Sequence, residues 1–96
     1  MTYFSMLDYK LSRFEISRNK SKKYDAILTN MKTNKEKRIP FGDVLYQQYK
    51  DRTGLNIYSS KNHNDKKRRQ SYRLRHHKDV KIGYFSPGYF SMYYLW

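Results

Sequence analysis

Few groups in this chain have the types and spacing to turn over a substrate, and many have those needed to hold one. Histidine and aspartate ligate divalent ions, and a histidine beside such an ion can activate water, so His63, Asp65, His76 and His77 are weighed first. They sit in a run of like positive charge that repels a cation, and no second carboxylate falls in the same helical register. A metal-dependent nuclease is not expected, because such a site needs several convergent groups. Ser59, Ser60, Ser86 and Ser91 lack a Gly-x-Ser-x-Gly context and have no base and orienter in evident register. The chain has no cysteine, which removes thiolate nucleophiles, disulfides and Cys-type zinc sites. The expectation is a non-enzymatic protein with no cofactor and no metal.

What the spacing does favour is anion binding. The segment Lys61 to Lys81 holds Lys61, Lys66, Lys67, Arg68, Arg69, Arg73, Arg75, Lys78 and Lys81 against only Asp65 and Asp79. That is more than half of the formal charge of +13, which is 21 Lys and Arg less 8 Asp and Glu. On a helix, Lys66, Arg69 and Arg73 share a face with His76 or His77 and form a ridge that can track phosphates. Lys66, Lys67, Arg68, Arg69, Arg73 and Arg75 are the candidate anion- or partner-binding residues, the arginines being suited to bidentate contact with carboxylate or phosphate. The plainer reading is a solvated basic surface, or arginines paired with carboxylates of this chain or a neighbour. With no zinc-finger spacing, no convincing helix-turn-helix and no aromatic strand of the RNP type, any DNA or RNA binding would run through phosphates and be salt-sensitive.

The elements that must position these groups are readable from periodicity. Phe14 and Ile16 alternate with Arg13, Glu15 and Ser17, the period of a half-buried strand. After a turn at 18–23, Tyr24, Ala26 and Leu28 alternate with Ile27, Thr29 and Met31, and Arg38 to Phe41 offers a third strand that Pro40 confines to an edge. An antiparallel meander from about Leu11 to Phe41 is predicted. Asp43 then caps a predicted short helix bearing Val44, Leu45, Gln48 and Tyr49, ended by Thr53 and Gly54. Residues 56–64 read as a loop. A basic helix over 65–78, capped by Asn64 or Asp65, is nearly polar all round and has only Tyr72 and Leu74 to anchor it. Ser86 and Pro87 open a C-terminal aromatic helix in which Tyr89, Met92, Tyr93 and Trp96 fall on one face. Tyr89, Tyr93 and Trp96 are the candidate packing or interface residues, packing on the chain's own sheet being the plainer role. The predicted class is α+β: one small basic domain, strand-rich over 1–42 and helical over 43–96.

Composition agrees with a binding role. A chain of 96 residues supports a single domain with much of its surface wet and only marginal stability of its own. Its 11 Tyr, 5 Phe and single Trp suit thin cores and interfaces, since each aromatic buries a large area. No run approaches the roughly 20 apolar residues needed to span a bilayer. The segment 1–7 lacks the basic and long apolar regions of a signal peptide, so a soluble intracellular protein without membrane insertion is expected. Binding flat on an anionic membrane is disfavoured by the lack of an aliphatic face.

A succession of short blocks carries a resemblance: Lys23-Tyr24, Pro40-Phe41-Gly42, Tyr49-Lys50-Asp51, His63-Asn64-Asp65, the run Arg68 to His76, Ser86-Pro87-Gly88-Tyr89-Phe90, and Tyr94-Leu95-Trp96. Over 22–96 the chain resembles a family of small basic proteins of the nucleocytoplasmic large DNA viruses, the giant viruses of algae and amoebae. The family brings no catalytic activity to carry over. The resemblance implies a virion protein made in the host cytoplasm. Its expected role is a minor capsid or cement-type structural component that binds acidic surfaces of neighbouring capsid or other virion proteins. The alternative is a sequence-nonspecific nucleic-acid-binding protein that neutralises the genome.

Overall fold

The computed structural model describes residues 3–96. Three antiparallel strands, β2 (Tyr9–Ile16), β3 (Lys22–Asn30) and β4 (Glu36–Asp43), form the predicted meander, with β3 central. A two-stranded ribbon joins β1 (Phe4–Ser5) to β5 (Tyr84–Phe85), pairing Phe4 with Phe85 and Ser5 with Tyr84. Strands this short have no period to read, so the sequence does not predict the ribbon; it ties the first residues described to the helical half. Helix α1 (Lys66–His76) and helix α2 (Pro87–Tyr94) complete the α+β fold.

Alternation on β3 decides where the core lies. Tyr24, Ala26 and Leu28 are fully buried and join Ile39 and Phe41 of β4, Phe85, and Phe90 and Leu95 from α2 and its end. Phe14 of β2 closes this layer, its ring lying edge-on to Phe41, Phe90 and Tyr94 at 5.7, 6.0 and 4.6 Å. Edge-to-face contacts of this kind add to plain area burial, which is how a core poor in Val, Ile and Leu holds together.

The other face of β3 is covered differently. Ile27 is also fully buried, and its cross-strand neighbours are Arg13 and Arg38. Their guanidinium groups are tied down by Glu15, Glu36 and Asp25 at 2.6 to 2.9 Å, so the register lays their aliphatic stems over Ile27. Arg13 and Arg38 hold the carboxyl groups of Glu15 and Glu36 below their ordinary range. Burial pushes Asp25 up, but hydrogen bonds from Ser17, Arg38 and the Arg18 amide outweigh it and keep Asp25 low. Pro40 lies on the edge strand β4, opposite Asp25, where a missing N–H costs no ladder bond.

The helix predicted after Asp43 does not form. Asp43 accepts the amides of Leu45 and Tyr46 in a single turn. Beyond it the amides of Gln48, of Tyr49 and Lys50, and of Arg52 donate to the carbonyls of Lys61, Leu95 and Tyr94 respectively. Long-range acceptors thus take the N–H groups a helix would have used, and Leu45, placed on its expected apolar face, is 79% exposed. Gly42 permits this route: its φ is +77°, and a Cβ there would sit 2.7 Å from Leu95 Cδ1. Only glycine meets both demands without strain.

A basic helix, its ring ladder and the cleft behind it

Helix α1 starts where Asp65 Oδ1 accepts the amides of Lys67 and Arg68 at 2.9 and 3.2 Å, an N-cap that satisfies two orphan donors. Arg73, Arg75 and His76 in its last turn complement the helix dipole. The anchor is aromatic: Tyr72 stacks on Trp96 at 4.1 Å with 5° between planes, and on its other side against His76 at 4.3 Å. Leu74, the second expected anchor, is 67% exposed and does not serve as one. Two cations take its place. Arg69 Nε and Arg73 Nη2 donate to the Trp96 main-chain oxygen at 2.7 and 3.3 Å, and the Arg69 guanidinium lies 4.7 Å over the ring of Tyr49.

The six basic candidates therefore divide. Arg69 and Arg73 turn inward, and burial, with Arg69 and Arg52 nearby, lowers the pKa of Arg73. Arg73 Nε is buried without a hydrogen-bond partner among the described residues. Arg68 reaches across to Gln47 Oε1 at 2.9 Å, whereas Lys66, Lys67 and Arg75 are exposed. Among the described residues, the ion pairs involve Arg13 and Arg38 as cations and none of these six. Seven of the eight acids are engaged elsewhere: Glu15, Asp25 and Glu36 on the sheet, Asp43 in its turn, Asp51 on Tyr24, Asp65 at its cap and Asp79 on His76; the eighth, Asp8, is exposed just before β2.

The aromatic candidates also part company. Trp96 belongs to the ladder with Tyr72 and lies 5.1 Å from the ring of His63. Tyr89 is half-buried against Phe85 and Phe90, and Tyr93 is 46% exposed beside Tyr89. The face of α2 turned to the sheet is led by Phe90, fully buried, rather than by Tyr93. The histidines diverge as well: His63 Nδ1 accepts the Asp65 amide, His76 Nδ1 bonds Asp79 at 2.8 Å, and His77 Nδ1 bonds the Leu74 carbonyl.

Behind α1 opens a cleft of about 690 Å³, walled by Arg68, Tyr72, Arg75 and His76 on one side and by Lys22, Lys23, Gly42 and Asp43 on the other. Its floor is the start of α2 with Leu95 and Trp96. Lys23 joins this wall from a buried position. It is 1% exposed, and its Nζ donates to the Tyr46 carbonyl and to Gln48 Oε1 at 2.7 and 2.6 Å. Burial, with Lys61 nearby, pushes its pKa down to about 8. Gln48, itself fully buried, donates to the Tyr58 carbonyl and Asn62 Oδ1, and Asn62 Oδ1 also takes the Asp51 amide. Nothing in the local pattern marks a lysine or glutamine as buried, so periodicity has no means of finding this network.

No helix among the described residues is long and apolar enough to cross a membrane. In comparisons with known proteins, the chain matches no family model, no curated protein and no solved structure.

Proposed function

We propose that the chain is a non-enzymatic structural protein that docks on an acidic protein surface through the outward side of α1. The observation that carries this reading is that Lys66 and Lys67 stand exposed, with no carboxylate among the described residues in ion-pair contact with them. Self-repulsion at +13 is relieved by an external anion. Leu74, exposed on the same helix, gives this side the mixture of basic and apolar groups that protein interfaces use. With the resemblance to giant-virus proteins, the partner is a capsid or other virion protein, and the role is that of a minor capsid or cement-type component assembled in the host cytoplasm.

A second reading, sequence-nonspecific binding of genomic DNA or RNA, is favoured by the exposed Lys66, Lys67 and Lys78, because point charges on long stems suit phosphates in any sequence. Quantifying the chain in full and in emptied particles separates the two. The structural role requires a fixed copy number that survives removal of the genome. Loss of the chain together with the genome would transfer the role to nucleic acid, and absence from both kinds of particle would end both readings. Charge reversal at Lys66 and Lys67 together should weaken attachment to the emptied shell by about tenfold or more.

A further inference from the structure

The cleft belongs to a different side of α1 from the docking ridge. Arg68, Tyr72, Arg75 and His76 recur at i, i+4, i+7 and i+8 and so share one face, while Lys67 and Leu74 point away from it. Lys22 meets them from the sheet, which with Arg68 and Arg75 gives three cations around one concavity, the Lys23 ammonium beneath being buried and turned to Tyr46 and Gln48. The two carboxylates in its lining are already engaged, Asp43 with the Leu45 amide and Asp79 with His76. The same walls carry flat rings: Trp96, Tyr72 and His76 form a stacked ladder, and among the described residues no further ring lies on His76. A volume of about 690 Å³ exceeds what a bare phosphate fills and falls in the range of small-molecule sites.

We propose that this cleft binds one nucleotide unit, its phosphate held by Lys22, Arg68 and Arg75 and its base laid on the His76 end of the ring ladder. A carboxylate ligand would satisfy the cations and leave the rings unused, and an apolar one would do the reverse. A nucleotide matches both, since its phosphate takes several charge-assisted hydrogen bonds at once and its base has a face to stack. Arg68 has only an exposed bond to Gln47 to give up, which water replaces at little cost. The unit can come from a free mononucleotide or from a single strand. Binding here neither requires ridge docking nor follows from it.

Trp96 is the chain's one tryptophan and lies in the cleft, so its fluorescence reports occupancy. The full chain is titrated with AMP, with inorganic phosphate and with a short oligothymidylate. AMP or the oligonucleotide should change Trp96 emission saturably, while phosphate alone competes without changing it. Tighter binding of the oligonucleotide identifies a strand as the source, and tighter binding of AMP a free nucleotide. Lys22→Gln and Arg75→Gln should each weaken the response by about fivefold or more, with Lys32→Gln and Lys35→Gln, exposed and outside the cleft lining, within about twofold of the parent. Thermal melts of each variant verify that it folds. The proposal is overturned if neither nucleotide probe gives a saturable change at concentrations on the order of millimolar, or if the change persists unaltered in both cleft variants.

Discussion

A single hydroxyl shows how the long loop is held. Tyr24 OH donates to Asp51 Oδ2 and accepts the amides of Ile57 and Tyr58. Together with Lys23 and Gln48 it ties the segment between β4 and α1 to the sheet by buried hydrogen bonds, and such a network favours one arrangement. It also sets an alkaline signature. The folded pKa of Lys23 is about 8 against an ordinary 10.5, so between those values the unfolded chain holds a proton that the native chain has released. Stability therefore rises with pH across that window. Burial and Asp51 push Tyr24 from 10.0 up to about 12, and burial also raises Tyr72 and Tyr89. For these the native chain keeps protons that the unfolded one loses, so stability falls as pH climbs from about 10 towards 12. Urea midpoints measured across this span should pass through a maximum near pH ~10, and Lys23→Met should flatten the rising limb. A midpoint that falls steadily from pH ~8 would contradict the buried position of the ammonium group.

At the level of elements, the start of α2 meets the turn that follows α1 across one close approach. Ser86 caps α2 by accepting the Tyr89 amide, and its own hydroxyl reaches the Asp79 carbonyl. Next to it, a Cβ on Gly88 would lie 2.7 Å from that carbonyl oxygen and 2.8 Å from Asp79 Cβ. Helix propensity alone makes Gly88→Ala stabilising by up to about 1 kcal/mol. The backbone contact reverses the sign, and a loss of about 1–3 kcal/mol is expected, as for other overpacked sites. Chemical denaturation decides between the two signs. The caps of α1 and α2 are legible in the sequence because Asp65, Ser86 and Pro87 act within one turn of where they stand. Leu74 fails as an anchor because the groups that hold α1, namely Trp96 and the inward Arg69 and Arg73, meet across separations of 27 and 23 residues, beyond the reach of any local period.

For the molecule as a whole, charge and core oppose each other. The apolar layer is one sheet face and one short helix deep, and the unpaired cations sit around it. Ligands that bind the native state stabilise it by mass action, so polyphosphate at low ionic strength should raise the thermal midpoint by about 4 °C or more. The gain should shrink as sodium chloride screens the contacts. Differential scanning calorimetry with and without polyphosphate tests this. An unchanged midpoint at low salt would mean that the excess charge is not waiting for a polyanion.

The sequence by itself determined whatever depends on neighbours within a few residues: the sum of charge, the alternation that makes three strands, the edge position of Pro40, and the capped starts of both helices. Only the tertiary structure decided the course of residues 44–65, the β1–β5 ribbon, which arginines turn inward and which stay exposed, and the cleft itself. The physical reason is the range of the interactions. Periodicity and capping are local, whereas a buried lysine or a stacked tryptophan is set by hydrogen bonds and rings that distant segments bring to it.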